Sequence, residues 1–284
     1  MKKNRNVIVF LALLIVFFLA LDFALENSCT WASNDYEVTC LEHPEKVWDK
    51  VFFGNSAVIS AYLEEESQSG YINLGIDYGV ITDLRDMLEQ GHVTVGSELL
   101  VGVNFFTFCD EFDTNPSYIW HRKFYEPYAY FHRDKLLKMM EAAIFSDRAE
   151  KPSPWEKILY YGNLSDQELA EKMQTYEEMY FSRSIDEFEE NLSALDDIAD
   201  WCTDNGVTLR LVWMPFNPSV QQPAILHELQ TQVGQWANER KIEVFDMTSA
   251  LDESCFHDVG HLNREHGAYI FTAKFDLWFE EESE

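Results

Sequence analysis

Between Ser97 and Phe108 the chain reads Ser-Glu-Leu-Leu-Val-Gly-Val-Asn-Phe-Phe-Thr-Phe, apolar almost throughout. A strand with one wet face would alternate apolar and polar residues. A continuous apolar run instead fits a strand covered on both faces, the environment of a central strand in a parallel sheet. Parallel neighbours need crossover connections, so the rest of the chain should alternate strands with helices. It does. Strand-like runs occur at Lys50–Phe53, Tyr71–Leu74, Val207–Met214 and Ile242–Phe245. Between them lie helical periodicities: Ile81, Leu84 and Leu88 within 77–89, then Ile185, Phe188, Leu192, Leu195, Ile198 and Cys202. Asn205-Gly206 is a stop signal for the second of these. Further helices are expected over 220–240 and 264–279. The reading is an α/β domain over 47–284, an open parallel sheet of about five strands with helices on both faces.

The N-terminus has a different solvent in view. Lys2, Lys3 and Arg5 precede an apolar run from Val7 to Leu21, and Asp22 is followed by Phe23-Ala-Leu25. Its length lies between a signal-peptide core and a spanning helix. No small-x-small cleavage site follows Ala20 or Ala24, and Ala32-Ser33 is only a loose one. We therefore expect residues 1–26 to be an uncleaved signal anchor, with secretion after cleavage as the alternative. The basic flank holds its own end cytoplasmic, leaving the rest extracytoplasmic. Residues 27–46 read as a juxtamembrane stalk. Cys29 and Cys40 within it could pair in an oxidising compartment, whereas Cys109, Cys202 and Cys255 lie in apolar settings as small buried hydrophobes. There is no zinc-type spacing, and no metal or cofactor is expected.

A formal charge of −29 over 284 residues argues against nucleic acid, whose phosphates would be repelled. The exception to the acidic surface is 110–182, which is rich in aromatics and holds Arg122, Lys123, Arg133, Lys135 and Lys138. It is too long for a plain connection and reads as a helical insertion, either a substrate cap or a helical pair packed on the core. His121 and His132 within it are either substrate-binding side chains or, the more ordinary reading, exposed helical residues, and Asp77, Asp83 and Asp86 read as one solvated helix face.

Chemistry-bearing residues recur at the ends of the expected strands. Gly54-Asn55-Ser56 turns the first strand into a helix expected to run on to Glu66, Gly75 closes the second, and Gly102-Val103-Asn104 lies in the third. Open α/β sheets place ligands at that edge. Asp258-Val259-Gly260-His261 follows the last strand in a loop able to fold back over it. A histidine there could take the Ser56 proton, with Asp258 fixing its tautomer. The N–H groups of Ser56 and Gly75 and the Asn104 amide would form an oxyanion hole.

These four blocks, in this order, resemble the SGNH (GDSL-type) hydrolase superfamily. The closest likeness is to membrane-anchored members involved in O-acylation of cell-envelope polymers, whose His-Leu-Asn ending is similar to His261-Leu262-Asn263 with Gly267 behind it. The resemblance implies a flavodoxin-like sheet with Ser56, Asp258 and His261 as catalytic residues. It also implies an extracytoplasmic serine esterase or O-acyltransferase acting on an acylated carbohydrate or envelope polymer, with a membrane-bound O-acyltransferase as a candidate partner. Asn55 stands where the family usually has Asp, Ala57 replaces the residue after the serine, and Phe105 stands where many members have Asp. A lapsed site on a polysaccharide- or partner-binding scaffold is the alternative.

Overall fold

A computed structural model describes residues 2–27, 32, 34–112, 114–144 and 156–281. The elements in chain order begin with helices α1 (Lys2–Glu26) and α2 (Asp35–Glu42), then strand β1 (Trp48–Gly54), helix α3 (Ser56–Ala61), strand β2 (Ile72–Gly75), helix α4 (Ile81–Glu89) and strand β3 (Val95–Val103). Helices α5 (Tyr128–Phe131), α6 (Arg133–Ile144), α7 (Asp166–Tyr176) and α8 (Glu189–Asn205) follow. Strand β4 (Thr208–Trp213), helix α9 (Ala224–Arg240), strand β5 (Glu243–Asp246) and helix α10 (Gly267–Glu281) complete the chain.

The described residues form two units, 1–42 with 116–156 and 43–115 with 157–284. The second is the α/β domain. Its five strands are all parallel, in the order β2-β1-β3-β4-β5. That order reverses direction between β1 and β3, which opens a crevice beyond their C-terminal ends. The expected open parallel sheet is therefore present, and the apolar runs explain it. Val51, Phe52, Phe53, Leu99, Leu100, Val101, Leu211 and Val212 are fully buried. On one face Phe52 stacks on Phe275 of α10 at 5.2 Å, with Tyr62, Phe271 and Val58 of α3 in the same core. Each such side chain stabilises the fold by roughly 1.5–3 kcal/mol through burial. On the other face α4 packs against α8, which ends as expected at Gly206, with φ of +70°.

Three boundaries differ from the sequence reading. Strand β3 stops at Val103 because Asn104 and Thr107 close a turn on each other: Asn104 N–H donates to Thr107 Oγ1, and Thr107 N–H to Asn104 Oδ1. Helix α3 ends at Ala61, and five of its six residues are buried. Helix α4 starts only at Ile81. Asp83 is buried at its first turn and accepts the Val80 N–H, and Asp77 lies in the preceding loop, where Tyr78 has φ of +57°. The three aspartates are not one solvated face.

In the other unit, α1 contains a 21-residue stretch, Asn6–Glu26, long and apolar enough to cross a membrane. The stretch 110–182, expected as one insertion, falls in both units: 116–144 packs with α1 and α2, and 157–182 with the sheet. His132 is buried rather than exposed. That burial pushes its imidazole down to about 4, against the pull of Glu37 beside it. Cys29, and with it the expected pairing with Cys40, lies outside the described residues.

Candidate active site

The site begins with the close approach of α3 to the sheet. A Cβ on Gly54 would lie 2.2 Å from Val58 Cγ2, and one on Gly102 only 2.4 Å from the same atom. Glycine at both positions lets the first turn of α3 sit down on the ends of β1 and β3. Asn55 caps the helix, its Oδ1 accepting the Ala57 N–H at 3.0 Å. Ser56 follows as the first helical residue, where the N–H has no partner within the helix.

Asn55 also explains its own identity. Its amide pairs reciprocally with that of Asn104: Asn55 Nδ2 donates to Asn104 Oδ1 at 3.2 Å, and Asn104 Nδ2 to Asn55 Oδ1 at 3.1 Å. The Ala57 and Thr107 N–H groups fix which end of each amide is oxygen, because both donate to the Oδ1 atoms. An aspartate at position 55 would face Asn104 Oδ1 with a second oxygen. Asparagine is the residue that suits this neighbour.

The loop after β5 brings the remaining groups. Asp258 Oδ1 accepts the N–H of Gly260 at 3.0 Å and of His261 at 2.8 Å, closing a tight turn. The loop is pinned from both sides. Asn217 Nδ2, beyond β4, donates to Asp258 O, and Leu262 N–H donates to Ser60 Oγ on α3. Asn263 Oδ1 accepts the N–H groups of His266 and Gly267 at the start of α10. The result is a continuous chain: Ser56 Oγ lies 2.8 Å from His261 Nε2, and His261 Nδ1 lies 2.8 Å from Asp258 Oδ2. A carboxylate can only accept, so Nδ1 carries the proton and Nε2 is left to accept from the serine hydroxyl.

Asp258 has a third partner that the sequence reading missed. Lys172, on α7, forms an ion pair with Asp258 Oδ2. The Asp258 side chain is almost wholly buried. Burial alone would raise its pKa, but His261 and the Lys172 ammonium outweigh it and hold the carboxyl far below the usual carboxylate range. Tyr160 stacks on the His261 ring, centroids 4.1 Å apart and planes 18° from parallel. Its phenol is pushed up by burial and by the negative charge of Asp258. The main chain of Tyr160 is held by the Arg264 N–H.

These groups open on a cavity of about 210 Å³ lined by Ser56, Asn104 and His261, with Asp77, Lys172 and a wall of aromatic rings: Tyr78, Phe106, Phe112, Tyr160, Tyr176 and Tyr180. Tyr176 ends α7, and Tyr180 lies in the π-helical turn that follows, Glu177–Phe181. Such turns often accompany functional sites because they re-aim side chains. Ser56, His261, Asp258 and Asn104 are thus brought together as the sequence suggested. Gly75 is not. It does not line the cavity, and its N–H donates to Asn73 Oδ1 at 2.9 Å. It pairs with Gly54 in the β1–β2 register, where a Cβ would collide with Ile59 of α3 at 2.6 Å, so it serves packing. His257 turns away, its Nδ1 toward the carbonyls of Tyr161 and Gly162. Among the described residues, no cluster of His, Cys, Asp and Glu is arranged to hold a metal ion.

Of the residues the sequence reading missed, Tyr160, Lys172, Tyr176 and Tyr180 come from 157–182, and Tyr78, Phe106 and Phe112 from the loops after β2 and β3. The recurrence of tyrosine in 157–182 was the available signal, but nothing in its spacing tied any one residue to Asp258. No protein-family model matches the chain, and no curated protein matches it.

Proposed function

We propose that this chain is a serine esterase or O-acyltransferase of SGNH type, tethered to a membrane by α1, acting on small acyl esters of a carbohydrate. The observation that carries the reading is the unbroken hydrogen-bonded chain from Ser56 Oγ through His261 to Asp258, facing a cavity beside Asn104. In the reaction Ser56 Oγ attacks the ester carbonyl as His261 Nε2 takes its proton. The oxyanion is met by the Ser56 N–H and the Asn104 amide. The intermediate collapses as His261 protonates the departing alcohol, leaving an acyl-serine. Water or an acceptor hydroxyl, deprotonated by His261, then releases the acyl group and restores Ser56. Asp258 stabilises the imidazolium in both halves.

A cavity of about 210 Å³ suits a short acyl group with at most one sugar ring, and aromatic walls present faces on which such a ring can stack. With Lys2, Lys3 and Arg5 in the first turns of α1, ahead of its apolar stretch, the site lies on the side of the membrane away from that flank.

Hydrolysis of 4-nitrophenyl acetate by the full chain in detergent tests the reading. Ser56→Ala should lower kcat/KM by about a thousandfold or more and abolish labelling by a fluorophosphonate probe. Equal turnover and equal labelling in the variant would remove Ser56 from the chemistry and leave a binding scaffold.

A further inference from the structure

The N-terminal unit shows how the anchor meets the segment 116–144. Asp22 lies inside the apolar helix α1, four residues before the end of the stretch Asn6–Glu26. At 1.5 Å per residue that stretch is about 31 Å long, the thickness of a bilayer core, and Asp22 lies roughly 6 Å from its end. A carboxylate at such a depth needs partners. Its partners come from α5: Tyr128 N–H donates to Asp22 Oδ2 and Ala129 N–H to Asp22 Oδ1, both at 2.9 Å. One turn further on, Glu26 pairs with Arg122 at 3.2 Å. These bonds fix the height of 122–131 at the end of the span, where hydrocarbon gives way to headgroups.

The surface at that height has the composition of a membrane interface. Phe124 is 98% exposed, and Tyr125, Tyr130, Leu137, Met140 and Ile144 are exposed as well. Leu137, Met140 and Ile144 recur at helical spacing on one side of α6. Cations flank the aromatic rings, Lys123 being 6.0 Å from the Tyr125 ring and Arg133 5.0 Å from that of Tyr130. Residues 119–144 hold five Lys and Arg against three Asp and Glu, whereas the whole chain has 21 against 50. Apolar and aromatic side chains mixed with basic ones, on a segment tied to a spanning helix, match elements that lie in the interface and contact anionic headgroups.

We infer that residues 119–144 form an interfacial collar, lying in the headgroup region of the leaflet at the C-terminal end of α1. The inference does not depend on the esterase chemistry. The occupant of the surface is lipid because the surface is continuous with the span, set at its level by Asp22 and Glu26, and opposite in charge balance to the rest of the molecule.

The test reconstitutes the full chain in phosphatidylcholine vesicles, with and without phosphatidylglycerol, doped with a phospholipid carrying a photoactivatable diazirine. Labelled peptides are then mapped by mass spectrometry. Label is expected on the span and on 119–144, increasing on the latter with phosphatidylglycerol. In Phe124→Ser/Tyr125→Ser/Leu137→Ser/Met140→Ser the label on 119–144 should fall by about threefold or more while that on the span is unchanged. A labelled span with 119–144 unlabelled in the wild type would overturn the inference. No label on either would remove the bilayer contact and the collar with it.

Discussion

Lys172 changes the electrostatics of the candidate site at the level of one residue. Its ammonium shares Asp258 with His261, so the carboxylate is not the private counter-ion of the imidazole. Replacing Lys172 by Met leaves a buried carboxylate short of one of its two charged partners, so Lys172→Met should lower kcat/KM for 4-nitrophenyl acetate by several-fold, while Lys172→Arg, which keeps the cation, should stay near wild type. Asp258 also carries a stability consequence. Its folded pKa is depressed below the unfolded value, so its contribution is complete above about pH 5 and is lost as the pH falls below the unfolded pKa of about 4. Asp258→Asn should therefore flatten acid unfolding below pH 4, measured by circular dichroism. The sequence made Ser56, Asp258, His261 and Asn104 legible because each sits at a strand end or in a short motif. Asn55 was legible only as a departure, since its reason is the facing Asn104 amide, a contact across 49 positions. Gly75 misled for the converse reason: a strand-end glycine gives the same signal whether its N–H is open or already bonded to Asn73.

Elements set how accurately these residues meet. Helix α10 and the loop before it touch at Gly267, where a Cβ would lie 1.9 Å from the Cys255 carbonyl oxygen. Backbone atoms cannot swing aside, so Gly267→Ala must shift either the helix start or the loop that carries Asp258 and His261. We expect a loss of about 1–3 kcal/mol, seen as a Tm lower by several degrees, with esterase activity falling further than stability. Gly234→Ala is the control: it lies in the middle of α9 with open space around a built Cβ and should raise the Tm slightly without changing activity. The sheet was legible at this scale because its strands are apolar runs with clear stops. The segment 157–182 was not, because its contribution depends on where a helix with no buried residues and one π-helical turn come to rest. Periodicity reports which face of a helix is apolar, and in α7 it marks only Leu169, Met173 and Tyr176, none of them fully buried. Its cavity residues are tyrosines and a lysine, which on sequence alone look like surface.

For the molecule as a whole the governing quantity is the charge of −29. Its sign was plain from the sequence, and so was the consequence that polyanions are unfavourable partners. What the sequence concealed is how the few cations are distributed: Lys172 is already bound to Asp258, and Asp77 shares the same cavity. An anionic acyl substrate would thus approach a negative protein and find no spare positive charge among the residues lining the site. Such repulsion decays over a Debye length, about 10 Å at 0.1 M salt and shorter above it. For a matched pair of aryl esters, one neutral and one carrying a carboxylate, kcat/KM of the neutral ester should be nearly independent of ionic strength. That of the anionic ester should be lower at low salt and rise as salt is added, through association rather than through kcat. A falling rate for the anionic ester with added salt would mean that a basic surface steers it in, and would reopen acidic envelope polymers as the preferred substrates.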